Sequence, residues 1–165
     1  EYWSTRLIQA FSPKDMQILR IMRMKSLMDF PSKLDYISEI LKDRKHKTII
    51  FTNTQSQADS ICDHSFHSKN PASEGNLIMF KEGEIEVLAA VEQLSEGVTI
   101  PNLKSGIIMH TFANNRKASQ KIGRMLRLNP DETASIHVLC YTDTVDLDWV
   151  TNALKDLNQD KIIWL

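Results

Sequence analysis

Apolar and polar positions change their rhythm near residue 45. Before it, Ser12, Pro13 and Asp15 read as an N-cap, a first-turn proline and a capping acid, which predicts a helix to about Asp29. Phe30-Pro31 breaks that helix, and Ser32 caps a second one to about Lys42. After residue 45, short β-branched runs alternate with amphipathic stretches. Lys47–Thr52 (KTIIFT) predicts a strand, followed by a helix from Thr54 and another over Asn76–Lys81. Ile85–Val91, Ser105–His110 and Ser135–Tyr141 predict further strands, with a helix over Asn115–Leu128 before the last. Leu147, Val150, Leu154 and Leu157 recur at helical spacing within Thr144–Leu157, and Lys161–Trp164 predicts a final strand. Apolar strands alternating with helices specify a mostly parallel sheet covered on both faces. The expected organisation is a helical extension or interdomain linker over residues 1–44, followed by an α/β domain over 45–165.

Composition narrows this picture. A chain of 165 residues with 42% hydrophobic content suits one domain with a substantial core. The net charge of −1 leaves no bulk attraction to polyanions, so any nucleic-acid contact must come from local patches. Cys62 and Cys140 are too far apart to suggest a disulfide framework, which favours a reducing compartment. Cys62, His64 and His67 match no recognised metal-ligand spacing, so no metal site is expected there. The most apolar run, Met16–Met28, is interrupted by Arg20, Arg23 and Lys25 too often for a bilayer span. A cytoplasmic protein with no membrane partner is therefore expected. Because the chain begins with Glu1 rather than methionine, we expect a piece of something longer.

Three segments carry candidate chemistry, all at the carboxyl ends of predicted strands, where open α/β sheets bind ligands. In TIIFTNTQ, the strand ends at Thr52-Asn53, and Thr54 with Gln57 forms a capping box whose free amides could hold a phosphate. In VLAAVEQLSEGVTIPN, a buried strand runs into a turn at Glu96-Gly97, where glycine lets the backbone approach a ligand closely. The third is QKIGRMLR. On a helix, Lys117, Gln120, Arg124 and Arg127 form one stripe opposite Ala118, Ile122, Met125 and Leu126. From Arg116 to Arg127 there are five basic residues and no acid. Gly123 costs about 1 kcal/mol against alanine in a helix interior, a cost tolerated where the backbone must come close to something.

In that order the segments resemble motifs IV, V and VI of the second RecA-like domain of superfamily 2 helicases, over roughly residues 33–141. KTIIFTNT resembles motif IV, VLAAVEQLSEGVTIP motif V, and QKIGRMLR the Q-x-x-G-R-x-x-R of motif VI. The resemblance implies a RecA-like fold that faces ATP and Mg²⁺ bound mainly by an N-terminal RecA-like domain of the same protein. It implies that Arg124 and Arg127 act as arginine fingers with Gln120 beside them, and that Gly123 keeps this face slim. It places Glu96, Gly97 and Thr99 near the nucleotide, and Thr52, Asn53, Thr54 and Val91 at the nucleic-acid backbone. Motif V departs from the pattern twice: the family usually has an acid at Thr99 and often a threonine at Val91. Gln120, where DEAD-box RNA helicases have histidine, makes the chain more similar to DNA-acting phage and bacterial helicases, which favours DNA over RNA.

The sequence contains no G-x-x-x-x-G-K-[ST], so half of an active site is expected here and the chain alone should be inactive. The rival reading is a non-catalytic helicase-like module that binds nucleic acid or protein. Val91 and Thr99 favour the rival, and the intact Gln120/Arg124/Arg127 stripe opposes it.

Overall fold

The computed structural model describes residues 2–9, 12–91, 100–111 and 133–165. They fall into two compact units, Glu1–Ser32 and Lys33–Leu165.

The first unit holds α1 (Tyr2–Ile8) and α2 (Pro13–Met28). The start of α2 is as the sequence requires. Ser12 is extended, its Oγ accepts from the Asp15 amide at 3.2 Å, and Pro13 occupies the first turn, where a missing N–H is harmless. None of its side chains is buried. Helix α1 has no counterpart among the predicted elements. No helix among the described residues is long and apolar enough to cross a membrane.

The second unit is a parallel α/β sheet. Its elements run α3 (Ser32–Lys42), β1 (Thr48–Thr52), α4 (Gln55–Ile61), β2 (Ser65–Phe66), α5 (Ser73–Glu82), β3 (Val87–Val91), β4 (Ser105–Ile108), β5 (Ser135–Val138) and α6 (Val145–Leu154). The strand order is β2-β3-β1-β4-β5, and every pairing is parallel. This is the RecA-like α/β architecture expected from the sequence.

Strand β1 is buried at all five positions because helices cover both of its faces. Successive side chains in a strand point to opposite faces, so Ile49 and Phe51 enter one cluster and Ile50 another. The first cluster joins Leu77 and Phe80 of α5 to Val150 and Leu154 of α6. The second joins Ile107 and Met109 to Ile37 of α3, with Leu34 and Leu41 packed against it. Leu34, Ile37 and Leu41 lie at i, i+3 and i+7, so one face of α3 meets the sheet. Fully burying each such side chain contributes roughly 1.5–3 kcal/mol. Helix α5 ends at Gly83, whose φ of +84° is the left-handed conformation that closes a helix onto the Met79 carbonyl.

The final strand expected over Lys161–Trp164 is replaced by a 3-10 turn at Gln159–Lys161 and an irregular tail. The cause is local. Asn158 Oδ1 accepts from the Asp160 amide at 3.0 Å, and the Gln159 side-chain amide donates to the carbonyls of Leu154, Lys155 and Leu157. The turn curls the chain back on the end of α6, and Ile163 and Trp164 stay exposed.

Candidate functional site

The chain crosses the sheet at its centre. From β1 it moves outwards to β2 and β3 on one side, and after β3 it passes to β4 on the other. The reversal lies between β1 and β4, and the crevice beyond their carboxyl ends is where open α/β sheets take ligands.

On the β1 side, Thr52 is fully buried and paired in register with Val91 of β3. The two residues that the resemblance assigns to nucleic acid on different motifs are therefore adjacent. The Thr52 hydroxyl donates to the Thr54 carbonyl at 3.1 Å. Thr54 caps α4: its Oγ1 accepts from the Gln57 amide at 3.2 Å, while Gln57 Oε1 accepts from the amides of Asn53 and Thr54, both at 3.3 Å. The capping box is thus present, and it corrects the expectation of free amides: Gln57 occupies those of Asn53 and Thr54. What is left over at this corner is the Asn53 side-chain amide, whose buried Nδ2 has no hydrogen-bond partner among the described residues.

On the β4 side the structure holds a cluster that the sequence did not reveal. Lys33, in the first turn of α3, is 3% exposed and directs its ammonium into the sheet edge. Nζ donates to the carbonyls of Met109 and Leu139, each at 3.0 Å, and to Asp146 Oδ2 at 2.5 Å. It also lies 3.2 Å from His110 Nδ1 and 4.7 Å from the centre of the Tyr141 ring. Burial lowers the Lys33 pKa from its ordinary value, and the Asp146 carboxylate pulls it back up. His110 is pushed down to about 3, first by burial and then by the Lys33 charge, so its ring is neutral at physiological pH. A neutral ring facing an ammonium through Nδ1 accepts there and carries its proton on Nε2. That Nε2 and the Thr111 hydroxyl are both buried without a partner among the described residues. Burial, and then Asp146, raise the Cys140 thiol pKa.

The one sequence signal for this cluster is the place of Lys33 four residues before Ile37, on the apolar stripe of α3, whereas Asp146 reads as an ordinary first-turn acid after the Thr144 cap. Only the convergence of α3, β4, β5 and α6 gives the two residues a shared role.

Away from this edge, His67 Nε2 lies 2.8 Å from Asp59 Oδ1, which also accepts from the Ser65 hydroxyl at 2.6 Å. These bonds tie β2 to α4 and hold the Asp59 carboxyl below its usual range. Cys62 and Cys140 are both free. Among the described residues no group of three His, Cys, Asp or Glu side chains could hold a metal ion. Glu96, Gly97 and Thr99, and Gln120, Gly123, Arg124 and Arg127, lie outside the described residues.

The fold and the order of its segments agree with comparison to known proteins. The model of the helicase conserved C-terminal domain matches residues 32–129. This chain belongs to that family. The match opens at the start of α3 and extends through QKIGRMLR, so the helicase C-terminal domain expected from the sequence is borne out. The DNA 3'-5' translocase XPB2 of Sulfurisphaera tokodaii is 29% identical over 115 residues, 66% of this chain and 26% of that protein. The helicase C-terminal domain described here thus spans about a quarter of that relative's length. Among solved structures, the C-terminal domain of the DEAD-box protein Dbp5 matches with a TM-score of 0.62 at 20% identity, covering 78% of this chain and 79% of that one. A Saccharomyces cerevisiae Dbp5 variant bound to RNA and ADP BeF3 matches with a TM-score of 0.59 at 19% identity, covering 74% and 35%. At such identities the structural likeness establishes the fold.

Proposed function

We propose that this helicase C-terminal domain serves as the second RecA-like half of an ATP-dependent nucleic-acid helicase or translocase. Arg124 and Arg127 are its arginine fingers, and Gln120 is a polar contact beside them. The observation that carries the reading is that Q-x-x-G-R-x-x-R, at residues 120–127, falls inside the family match and lies in the sequence between β4 and β5. ATP with Mg²⁺, bound mainly by the partner RecA-like domain, supplies the phosphoryl group. Planar, permanently charged guanidiniums suit the charge spread over its oxygens. Glu96, Gly97 and Thr99 border the nucleotide, and Gly123 permits close approach of the two domains.

Thr52, Asn53, Thr54 and Val91 form the nucleic-acid contact of this reading. Asn53 Nδ2 is its readiest donor, because Gln57 already holds the neighbouring amides. DNA is favoured over RNA by Gln120 and by the relative named as a DNA translocase. With a net charge of −1, binding should involve few phosphates and decline with salt at a shallow slope.

The test is made in the full-length protein. Arg124→Ala or Arg127→Ala should lower ATP turnover on the order of a thousandfold, and Arg→Lys should rescue poorly. The chain by itself should hydrolyse no ATP. Alanine variants that keep their ATPase but lose nucleic-acid binding would make the basic stripe a phosphate-backbone contact and overturn its role as arginine fingers.

A further inference from the structure

Close-packed protein cores hold few voids larger than a water molecule. Where β5, α6 and the C-terminal tail meet, the first apolar cluster instead borders a cavity of about 430 Å³. Its buried lining is Val150 and Leu154 of α6. Ile136 and Val138, which share one face of β5, line it half-buried, as do Leu157 and Ile162 on either side of the 3-10 turn. The exposed part of the lining comes mostly from the tail, with Lys161, Ile163 and Trp164. That tail is fixed in place. The Lys161 amide donates to the Asn158 carbonyl and the Ile162 amide to the Gln159 carbonyl, both at 3.1 Å, while the Gln159 side chain is anchored on three carbonyls near the end of α6. The cavity also reaches Ala134, ahead of the first residue of β5, so it extends to the amino end of that strand. The crevice described above lies beyond the carboxyl ends of β1 and β4.

We propose that this cavity binds a small amphiphilic anion, an alkyl carboxylate of medium chain length. Its apolar body lies against Ile136, Val150 and Leu154, and its carboxylate meets the Lys161 ammonium at the exposed rim. Three observations support this. The volume falls in the range of about 300–1,000 Å³ typical of small-molecule sites, and the lining is apolar with few polar groups, as such sites require. Among the described lining residues there is one cation, Lys161, one side-chain amide, Asn158, and no acid. Lys161 has no ion-pair partner among the described residues, so its charge is open to an anionic head. Trp164 is 56% exposed, which leaves ring surface for a ligand to cover. The walls are preformed by the turn and by α6, so little ordering cost opposes binding. A head group at the wet rim keeps its hydration while the alkyl body leaves water, the division that an amphiphile allows. The inference does not depend on the arginine-finger reading.

The experiment titrates the full-length protein by calorimetry with straight-chain carboxylates from hexanoate to tetradecanoate. Affinity should rise by up to about fourfold for each added methylene, the transfer value of one buried CH₂, and stop rising once the chain fills the cavity. Decanol, the same body without the charge, should bind about threefold to fivefold more weakly than decanoate, the worth of one partly exposed charged contact. Lys161→Met should erase that difference and leave decanol affinity unchanged. Ala134→Phe occupies the cavity from a half-buried position and should weaken both ligands by at least about tenfold, because their apolar contacts are lost. Trp164→Ala, at an exposed position where folding is not at stake, should weaken both by at least about threefold. Unfolding midpoints confirm that each variant is folded. No saturable binding of any carboxylate up to about 1 mM overturns the proposal. So does affinity that climbs with chain length without levelling, alike in parent and variants, since that is adsorption to exposed apolar surface. Equal affinity of the parent for decanol and decanoate removes the anionic head and overturns it as well.

Discussion

Thr52 and Val91 stand side by side in parallel register at the carboxyl ends of β1 and β3. Thr52 is fully buried and its hydroxyl is committed to the Thr54 carbonyl, whereas half-buried Val91 has no polar atom to offer. If this corner contacts the nucleic-acid backbone, Val91→Thr should strengthen binding. One added hydrogen bond is worth about 1 kcal/mol net, or about fivefold in affinity. Titration of labelled single-stranded DNA with the full-length variant measures it, and unchanged affinity would remove Val91 from the contact.

The Thr54/Gln57 box predicts opposite effects on stability and binding. Gln57→Ala removes the acceptor of the Asn53 and Thr54 amides and should cost about 1 kcal/mol in urea unfolding. It also exposes those amides, so DNA affinity should hold or rise. Thr54→Ala should cost a similar amount of stability by uncapping α4. A marked loss of affinity in Gln57→Ala at unchanged stability would mean that its side chain, not the amides beneath, makes the contact.

Breaking the Lys33–Asp146 pair from one side leaves a buried charge without its partner. Lys33→Met or Asp146→Leu alone should therefore destabilise by about 3–5 kcal/mol, while the double replacement should recover only the part due to the unpaired charge, because the Met109 and Leu139 carbonyls and the Tyr141 amide still lose their bonds to the pair. Equilibrium denaturation of the four proteins gives the coupling energy directly. Additive losses would show that the two residues stabilise the fold independently.

His110 makes stability depend on pH. Its folded pKa is about 3, against an ordinary 6.5 for an unfolded chain. Between those values unfolded molecules take up a proton that folded ones refuse, so stability is full above about 6.5 and declines as pH falls towards 3. The slope from this one group is at most about 1.4 kcal/mol per pH unit. Between pH 7.5 and 5.5 the parent should lose about 1.4 kcal/mol more than His110→Asn, read from urea midpoints. Equal losses would mean that the ring is not shielded as its burial implies.

The sequence by itself determined the alternation of strands and helices, the two-sided burial of β1, and the caps at Ser12 and Thr54, because each rests on residues close together in the chain. The Q-x-x-G-R-x-x-R spacing that resembles motif VI was legible for the same reason: it is local, and the family match runs through it. Other features depended on distant residues. β4 and β5 end at Ile108 and Val138 rather than at His110 and Tyr141, where an ammonium 106 residues before Leu139 takes the Leu139 carbonyl that would continue the ladder. The two-residue strand β2 is too short to carry a periodic pattern, and pairing with Ala89 and Ala90 of β3 is what makes it a strand. Lys161–Trp164 reads as a strand by composition, but the turn held by Asn158 and Gln159 diverts it. The Lys33–His110–Asp146 cluster is the extreme case. Its members are scattered over more than a hundred positions, each has an ordinary local explanation, and only the packing of α3 and α6 against the open end of β4 and β5 brings their charges together.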